Sequence, residues 1–186
     1  MAKMNQRLGL TRYEADEYYK LALEAYRKER FDEAINHMND AIGMLPRKAE
    51  YYATRGYFYA EDGVKDKALA DFDQALKLYP YEMLAHYGKG ILAYRDKNYP
   101  EALTHFTSAY HSDPQRPETQ YYLALTNHRL GNDAQAQQLM AMAAAGFEKA
   151  DDKRKADANR WLREFQKALD AGPPQAKLPM PPEPPR

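Results

Sequence analysis

The chain repeats itself every 34 residues. Pro46, Pro80 and Pro114 stand at that interval, and so do Ala22, Gly56, Gly90 and Ala124. Two further columns keep the same register: Ala34, Ala68, Ala102 and Ala136, then Ala41, Ala75, Ala109 and Ala143. A fixed period of this length marks stacked supersecondary units, each too small to bury its own apolar face. The chain is therefore expected to be an extended solenoid that works by presenting a surface.

Each unit reads as two antiparallel helices. In the second unit, residues 49–62 contain no proline, and Tyr52, Gly56 and Tyr59 fall three and four apart. Gly63 breaks that run. A second run over residues 66–78 carries Ala68, Phe72, Ala75 and Leu76, and Pro80 stops it because proline cannot continue a helix. A small residue at Gly56 facing Ala68 and Ala75 lets the two backbones approach, with Phe72 filling the gap above.

These columns resemble those of the tetratricopeptide repeat (TPR) family, whose period and small–Ala–Phe–Pro pattern they follow. The resemblance covers roughly residues 15–147. It implies an all-α fold: an α-solenoid of about four TPR hairpins at residues 15–48, 49–82, 83–116 and 117–148. Arg55 and Lys89 stand where the family usually has Leu, Met38 and Met140 replace the aromatic seen at Phe72 and Phe106, and Glu148 falls where a fourth terminal proline belongs.

The two ends differ from the middle. Thr11 and Glu14 form a capping-box pattern, which predicts a first helix from Arg12 and a loosely tethered segment over residues 1–11, anchored by Leu8 and Leu10. Residues 149–171 predict a capping helix, with Ala158, Trp161, Leu162, Phe165 and Leu169 on one face. Trp161 reads as a lid on the fourth repeat, with a partner-binding anchor as the alternative. From residue 172 the composition shifts: seven of the chain's 12 prolines lie in residues 173–186. Such a segment favours extended polyproline II conformation. Pro179, Pro181, Pro182, Pro184, Pro185 and Arg186 include a P-x-x-P-x-Arg pattern of the kind that docks in aromatic-lined grooves. A plain solvated tail, a tail docked on its own or a neighbouring chain, and a foreign reader domain all remain open.

Charge narrows the partner. Acidic and basic side chains number 27 each, but residues 15–148 hold 15 Lys or Arg against 20 Asp or Glu. A mildly acidic body argues against nucleic acid, which needs a surplus of cations on one face. No stretch is apolar enough to span a membrane, and the first residues lack a secretion signal's apolar core, so a cytoplasmic protein is expected. The absence of cysteine excludes disulfides and thiolate metal sites.

In stacked hairpins the first helices line the inner wall. The exposed stripe on those helices predicts a peptide groove from Tyr19, Leu23 and Tyr26 in the first repeat and Tyr57 in the second. The third repeat adds Tyr87, Ile91 and Tyr94, and the fourth adds Tyr121, Leu125 and His128. Tyrosine suits such a wall because it offers a large rigid contact and a hydroxyl. About half of these tyrosines, Tyr19 and Tyr121 especially, are expected to wedge between repeats. Asp16, Glu50 and Glu118 edge the wall. Family members that clamp a chaperone's terminal carboxylate use Lys, Arg and Asn on these faces, whereas the stripe here carries none. An apolar or proline-containing extended segment, or a short amphipathic helix, fits better.

No catalytic pattern stands out. The five histidines show no metal-ligand spacing, Asp71 and Asp73 are expected to face solvent, and phosphate-cradling and nucleophile motifs are missing. The sequence therefore predicts no metal, no cofactor and no enzyme. It favours a non-catalytic adaptor or chaperone holding a partner's peptide segment. A structural subunit of a larger assembly, strapped by its proline-rich tail, is the alternative.

Overall fold

The computed structural model describes residues 2–172, with side chains from residue 9 onward. Among these residues are nine helices: α1 (Ala2–Arg27), α2 (Phe31–Met44), α3 (Ala49–Glu61), α4 (Lys65–Leu78), α5 (Met83–Arg95), α6 (Tyr99–Ser112), α7 (Pro117–Arg129), α8 (Asp133–Lys149) and α9 (Lys155–Ala171). They pack as four antiparallel pairs, α1–α2 to α7–α8, with α9 closing on α8. The first helices α3, α5 and α7 also touch one another in sequence, and this sets them side by side along one wall. The result is an all-α solenoid.

The hairpin turns repeat as faithfully as the helices. Glu29, Gly63, Lys97 and Gly131 all adopt left-handed backbone, with φ of 57°, 82°, 63° and 83°. In each turn the following amide donates to a carbonyl five residues back: Arg30 to Ala25, Val64 to Tyr59, Asn98 to Ala93 and Asn132 to Asn127. That bond caps the orphaned carbonyls of the first helix and reverses the chain. Glycine enters left-handed backbone without a Cβ clash, so Gly63 and Gly131 suit their turns better than Glu29 and Lys97 do.

Small residues fix the helix spacing. A Cβ on Gly56 would lie 2.9 Å from the Phe72 ring, one on Gly90 2.7 Å from Phe106, and one on Gly88 2.1 Å from Phe72. Phe72 thus sits against its own repeat's first helix and also the next repeat's. Gly88 lies outside the columns of small residues, so periodicity alone does not single it out.

Three expectations change. The first helix begins at Ala2 rather than Arg12, so Thr11 and Glu14 lie within it instead of capping it. Residues 2–11 contain no proline, and a lone Gly9 costs a helix only about 1 kcal/mol. Leu10 is exposed rather than an anchor. Asp71, expected in solvent, is buried. Arg55 on α3 donates to it twice, through Nε and Nη2 at 2.7 Å each, and gives Nη1 to Asn39 Oδ1 on α2. A bidentate guanidinium compensates the carboxylate, which is what allows it to be buried. Asp73 does remain exposed and accepts from Lys89 at 2.7 Å.

On α9, Ala158 and Phe165 are fully buried against the end of the stack. Trp161 packs on Phe165 and on His128 of α7, with centroids 5.6 and 6.0 Å apart. The proline-rich pattern at Pro179–Arg186 and the tail docking it suggests lie outside the described residues.

A tyrosine-lined wall as candidate functional site

Because α3, α5 and α7 lie side by side, residues about one repeat apart meet across helices. The tyrosines form a continuous band. Tyr26 packs edge-on to Tyr57 (5.9 Å between centroids), Tyr57 on Tyr87 (6.3 Å), Tyr87 on Tyr122 (6.0 Å), and Tyr122 on both Tyr94 (6.0 Å) and Tyr121 (5.4 Å). Edge-on and tilted pairs of this kind are favoured by the ring quadrupole. Tyr122 lies one residue off the predicted stripe, yet it connects three of its members. Its ring stacks on Phe106 of the core at 5.7 Å, which pins the centre of the band.

Burial divides the predicted residues into two sets. Tyr87, Ile91 and Leu125 are buried and back the wall. Tyr19, Leu23, Tyr26, Tyr57, Tyr94, Tyr121 and His128 are half-buried and present part of their surface. At the first-repeat end, Tyr19 stacks on Tyr51 at 5.4 Å. At the other end Tyr121 donates to Asp157 of α9, and His128 pairs with Asp133 and packs at a tilt on Phe165, 4.8 Å between centroids. The capping helix therefore engages both Tyr121 and His128. The open stretch of wall runs from Tyr26 through Tyr57 to Tyr94.

The centre of the wall is shielded by burial. Burial raises the hydroxyl pKa of Tyr57 and Tyr87 well above the ordinary tyrosine value, and burial with the Asp157 hydrogen bond does the same to Tyr121. These rings therefore stay neutral and act as hydrogen-bonding groups on an apolar surface.

Cations do reach this surface, although none stands on the stripe itself. Lys48, Arg116 and Arg154 each occupy the residue just before a helix. Lys48 lies 4.3 Å from the Tyr51 ring centre, Arg116 4.9 Å from Tyr87 and Arg154 4.6 Å from Phe147. On the opposite edge Arg95 donates to the Ala60 carbonyl and to Glu61. Most of this charge is already engaged. Lys48 bridges Asp16 and Glu50 at 3.3 Å, and Arg154 bridges Glu118 and Asp152 at 2.8 and 2.6 Å. Arg116 is held more loosely, by an ion pair with Glu118 alone. Its Nη1 approaches only the Met83 sulfur, at 3.7 Å, and its buried Nε has no hydrogen-bond partner, standing 3.5 Å from Glu118. Lys48 and Arg116 share one register position two periods apart, and that was the signal that could have found this rim.

The histidines also gain neighbours that sequence spacing does not show. His86 Nδ1 and His105 Nδ1 lie 3.2 Å apart across α5 and α6. His37 and His105 each approach a glutamate one turn back, Glu33 and Glu101. Among the described residues no three such groups converge as a metal site would require.

Fold and wall together define a class: an α-solenoid of helical hairpins that offers a protein-binding surface. Tetratricopeptide repeat models match residues 19–82, 63–117 and 93–156, and the chain belongs to the tetratricopeptide repeat family. It is similar to the Hsp70-Hsp90 organizing protein of Triticum aestivum, with 28% identity over 104 residues, which is 56% of this chain and 18% of the relative. The chain thus spans less than a fifth of that relative's length. Yeast Tom70 has a similar fold, with a TM-score of 0.70 and 21% identity over 84% of this chain and 34% of that one. So has the first TPR of Spaghetti (RPAP3), a structure bound to the HSP90 peptide SRMEEVD, with a TM-score of 0.60 and 17% identity over 64% of this chain and 98% of that one. No helix among the described residues is long and apolar enough to cross a membrane.

Proposed function

We propose that the chain is a non-catalytic, cytoplasmic adaptor or chaperone whose wall between Tyr26 and Tyr94 holds an apolar or proline-containing segment, or a short amphipathic helix, of another protein. The observation that carries this reading is the continuous tyrosine band, buried at Tyr87 and half-buried at Tyr26, Tyr57, Tyr94 and Tyr122. Rigid aromatic rings give contact area with few rotamers to freeze, and binding energy concentrates in such anchors.

An acidic segment is a second reading, and one observation favours it. Arg116 stands over Tyr87 with a buried Nε that no acceptor satisfies. Glu118 approaches it only to 3.5 Å, whereas Lys48 and Arg154 each bridge two carboxylates that an incoming one would have to displace.

Affinity purification with tagged full chain, run beside the Tyr57→Ala and Tyr94→Ala variants, tests the first reading. The partners recovered by the parent should be depleted from both variants while helicity stays unchanged. Recovery that is unaffected by both substitutions would remove the wall from the mechanism. Titration with SRMEEVD separates the readings: binding that Arg116→Gln abolishes supports the acidic one, and at least tenfold weaker binding than an apolar segment supports the first.

A further inference from the structure

A second recess lies apart from the tyrosine band, between the α4–α5 turn and the second half of α6. It is a cleft of about 670 Å³. Its lip is formed by Tyr79 and Tyr81, whose rings meet edge to face at 5.9 Å with 50% and 69% of their surface exposed. Tyr81 is the most exposed large apolar side chain among the described residues. The turn that carries both rings is held in place. His86 Nε2 lies 3.0 Å from the Pro80 carbonyl, and Ser112 Oγ donates to the Tyr81 carbonyl at 3.1 Å. Met83 adds apolar lining, and Glu82 adds the cleft's one carboxylate. Among the described residues Glu82 has no cation partner, and burial together with Glu50 raises its pKa.

Two exposed aromatic rings on a braced turn, beside an acid lacking a counter-ion, match one ligand chemistry closely. Proline rings pack on exposed aromatic faces because little chain entropy remains to be lost, and an arginine near the prolines pairs with a carboxylate. This chain carries that sequence itself, as Pro181-Pro182-Glu183-Pro184-Pro185-Arg186. The inner wall suits an arginine-bearing segment less well, since the carboxylates at its edge, Asp16, Glu50 and Glu118, are already paired with Lys48 and Arg154. We propose that the cleft at Tyr79 and Tyr81 binds the proline-rich segment 179–186 of a second copy of this chain, with Glu82 receiving Arg186.

A second copy is favoured over the same one by distance. The α9 C-terminus shares a recess with Gly131–Asp133, at the far end of the hairpins from Tyr81. Reaching the cleft means travelling back along the 13 residues of α5, about 20 Å. It also means crossing two helix spacings, about another 20 Å. The six residues 173–178 that precede the segment can reach no more than about 20 Å, even for a fully extended chain. The same chain falls short of the cleft, whereas a neighbour carries no such restriction.

The chain contains no cysteine, so one Cys appended after Arg186 can carry a single nitroxide on the otherwise intact protein. Nitroxide-labelled chain is mixed with unlabelled, isotope-enriched chain, and paramagnetic broadening is read on the enriched copy. The expected result is broadening of His86, His111 and Tyr81 signals that saturates with added labelled chain. Tyr81→Ala should abolish it, and Glu82→Gln should reduce the apparent affinity several-fold. Tyr81 is exposed and Glu82 half-buried, and unchanged helicity of each variant confirms that folding is intact. Broadening centred on Tyr57 and Tyr94 would move the segment to the inner wall and overturn the proposal. So would broadening that Tyr81→Ala leaves unchanged, or none at any concentration.

Discussion

At the scale of single residues, the most informative feature is a column that mixes charges. Arg55 and Lys89 occupy one register position, and Asp71 and His105 occupy the position facing it. In the second repeat the two meet as a bidentate ion pair; in the third, His105 faces His86 and feels Lys89. Removing one half of a buried pair strands the other, so Asp71→Ala should cost about 3 kcal/mol in urea unfolding. Asp73→Ala, which breaks only an exposed pair, should cost less than about 1 kcal/mol. Equal losses would show that Asp71 is no more important than its solvated neighbour. His105 has the opposite problem. Burial, Lys89 and His86 push its pKa below the ordinary histidine value, while Glu101 and Asp73 partly offset them. A histidine whose folded pKa is depressed binds its proton more readily when unfolded. Stability is therefore complete above the unfolded value, about 6.5, and is lost as pH falls from there through the folded pKa. The melting temperature should drop between pH 7 and pH 5, and His105→Gln should flatten that drop. An unaltered pH profile in the variant would assign the loss to other groups.

At the scale of elements, the repeat was legible because its constraints are steric and therefore written in residue size. Columns of Ala and Gly mark where helices touch, and prolines mark where each second helix stops. Gly56 and Gly90 follow that logic, and replacing either with Leu should cost on the order of 1–3 kcal/mol by overpacking against Phe72 or Phe106. Gly88→Ala should also destabilise, since its Cβ would land 2.1 Å from the Phe72 ring. A Gly88→Ala protein that melts like the parent would mean that Phe72 swings aside freely. The turns were half legible. Gly63 and Gly131 show as breakers, but Glu29 and Lys97 adopt the same left-handed backbone without a residue type that signals it. Gly63→Ala should cost about 1 kcal/mol, while Lys97→Gly should be neutral or slightly stabilising. The start of α1 was misread for a similar reason: a capping pattern at Thr11 and Glu14 carries no force when the residues before it also favour helix. Buried Asp71 escaped notice because its partner lies 16 residues away on another helix, and helical periodicity cannot report that.

For the whole molecule, the solenoid turns a one-dimensional repeat into a two-dimensional surface, and that step limited what the sequence could show of the site. Stripe membership followed from the period, so the positions of Tyr26, Tyr57 and Tyr94 could be read in advance. Which rings cover one another depends on the lateral stacking of α3, α5 and α7, and that contact buries Tyr87 and brings in Tyr122. The rim of Lys48, Arg116 and Arg154 escaped because those residues precede the helices rather than belong to the stripe. The central claim is that the half-exposed tyrosines bind a partner's segment. Its most direct test is the affinity of one peptide, selected from a random library on the full chain, for the parent and for the Tyr57→Ala, Tyr94→Ala and Tyr110→Ala variants. The expected result is a loss of about tenfold or more at Tyr57 and Tyr94, corresponding to roughly 1.4 kcal/mol or more, with little change at Tyr110 on the second helix α6. Affinity that falls equally at all three positions, or at none, would contradict it.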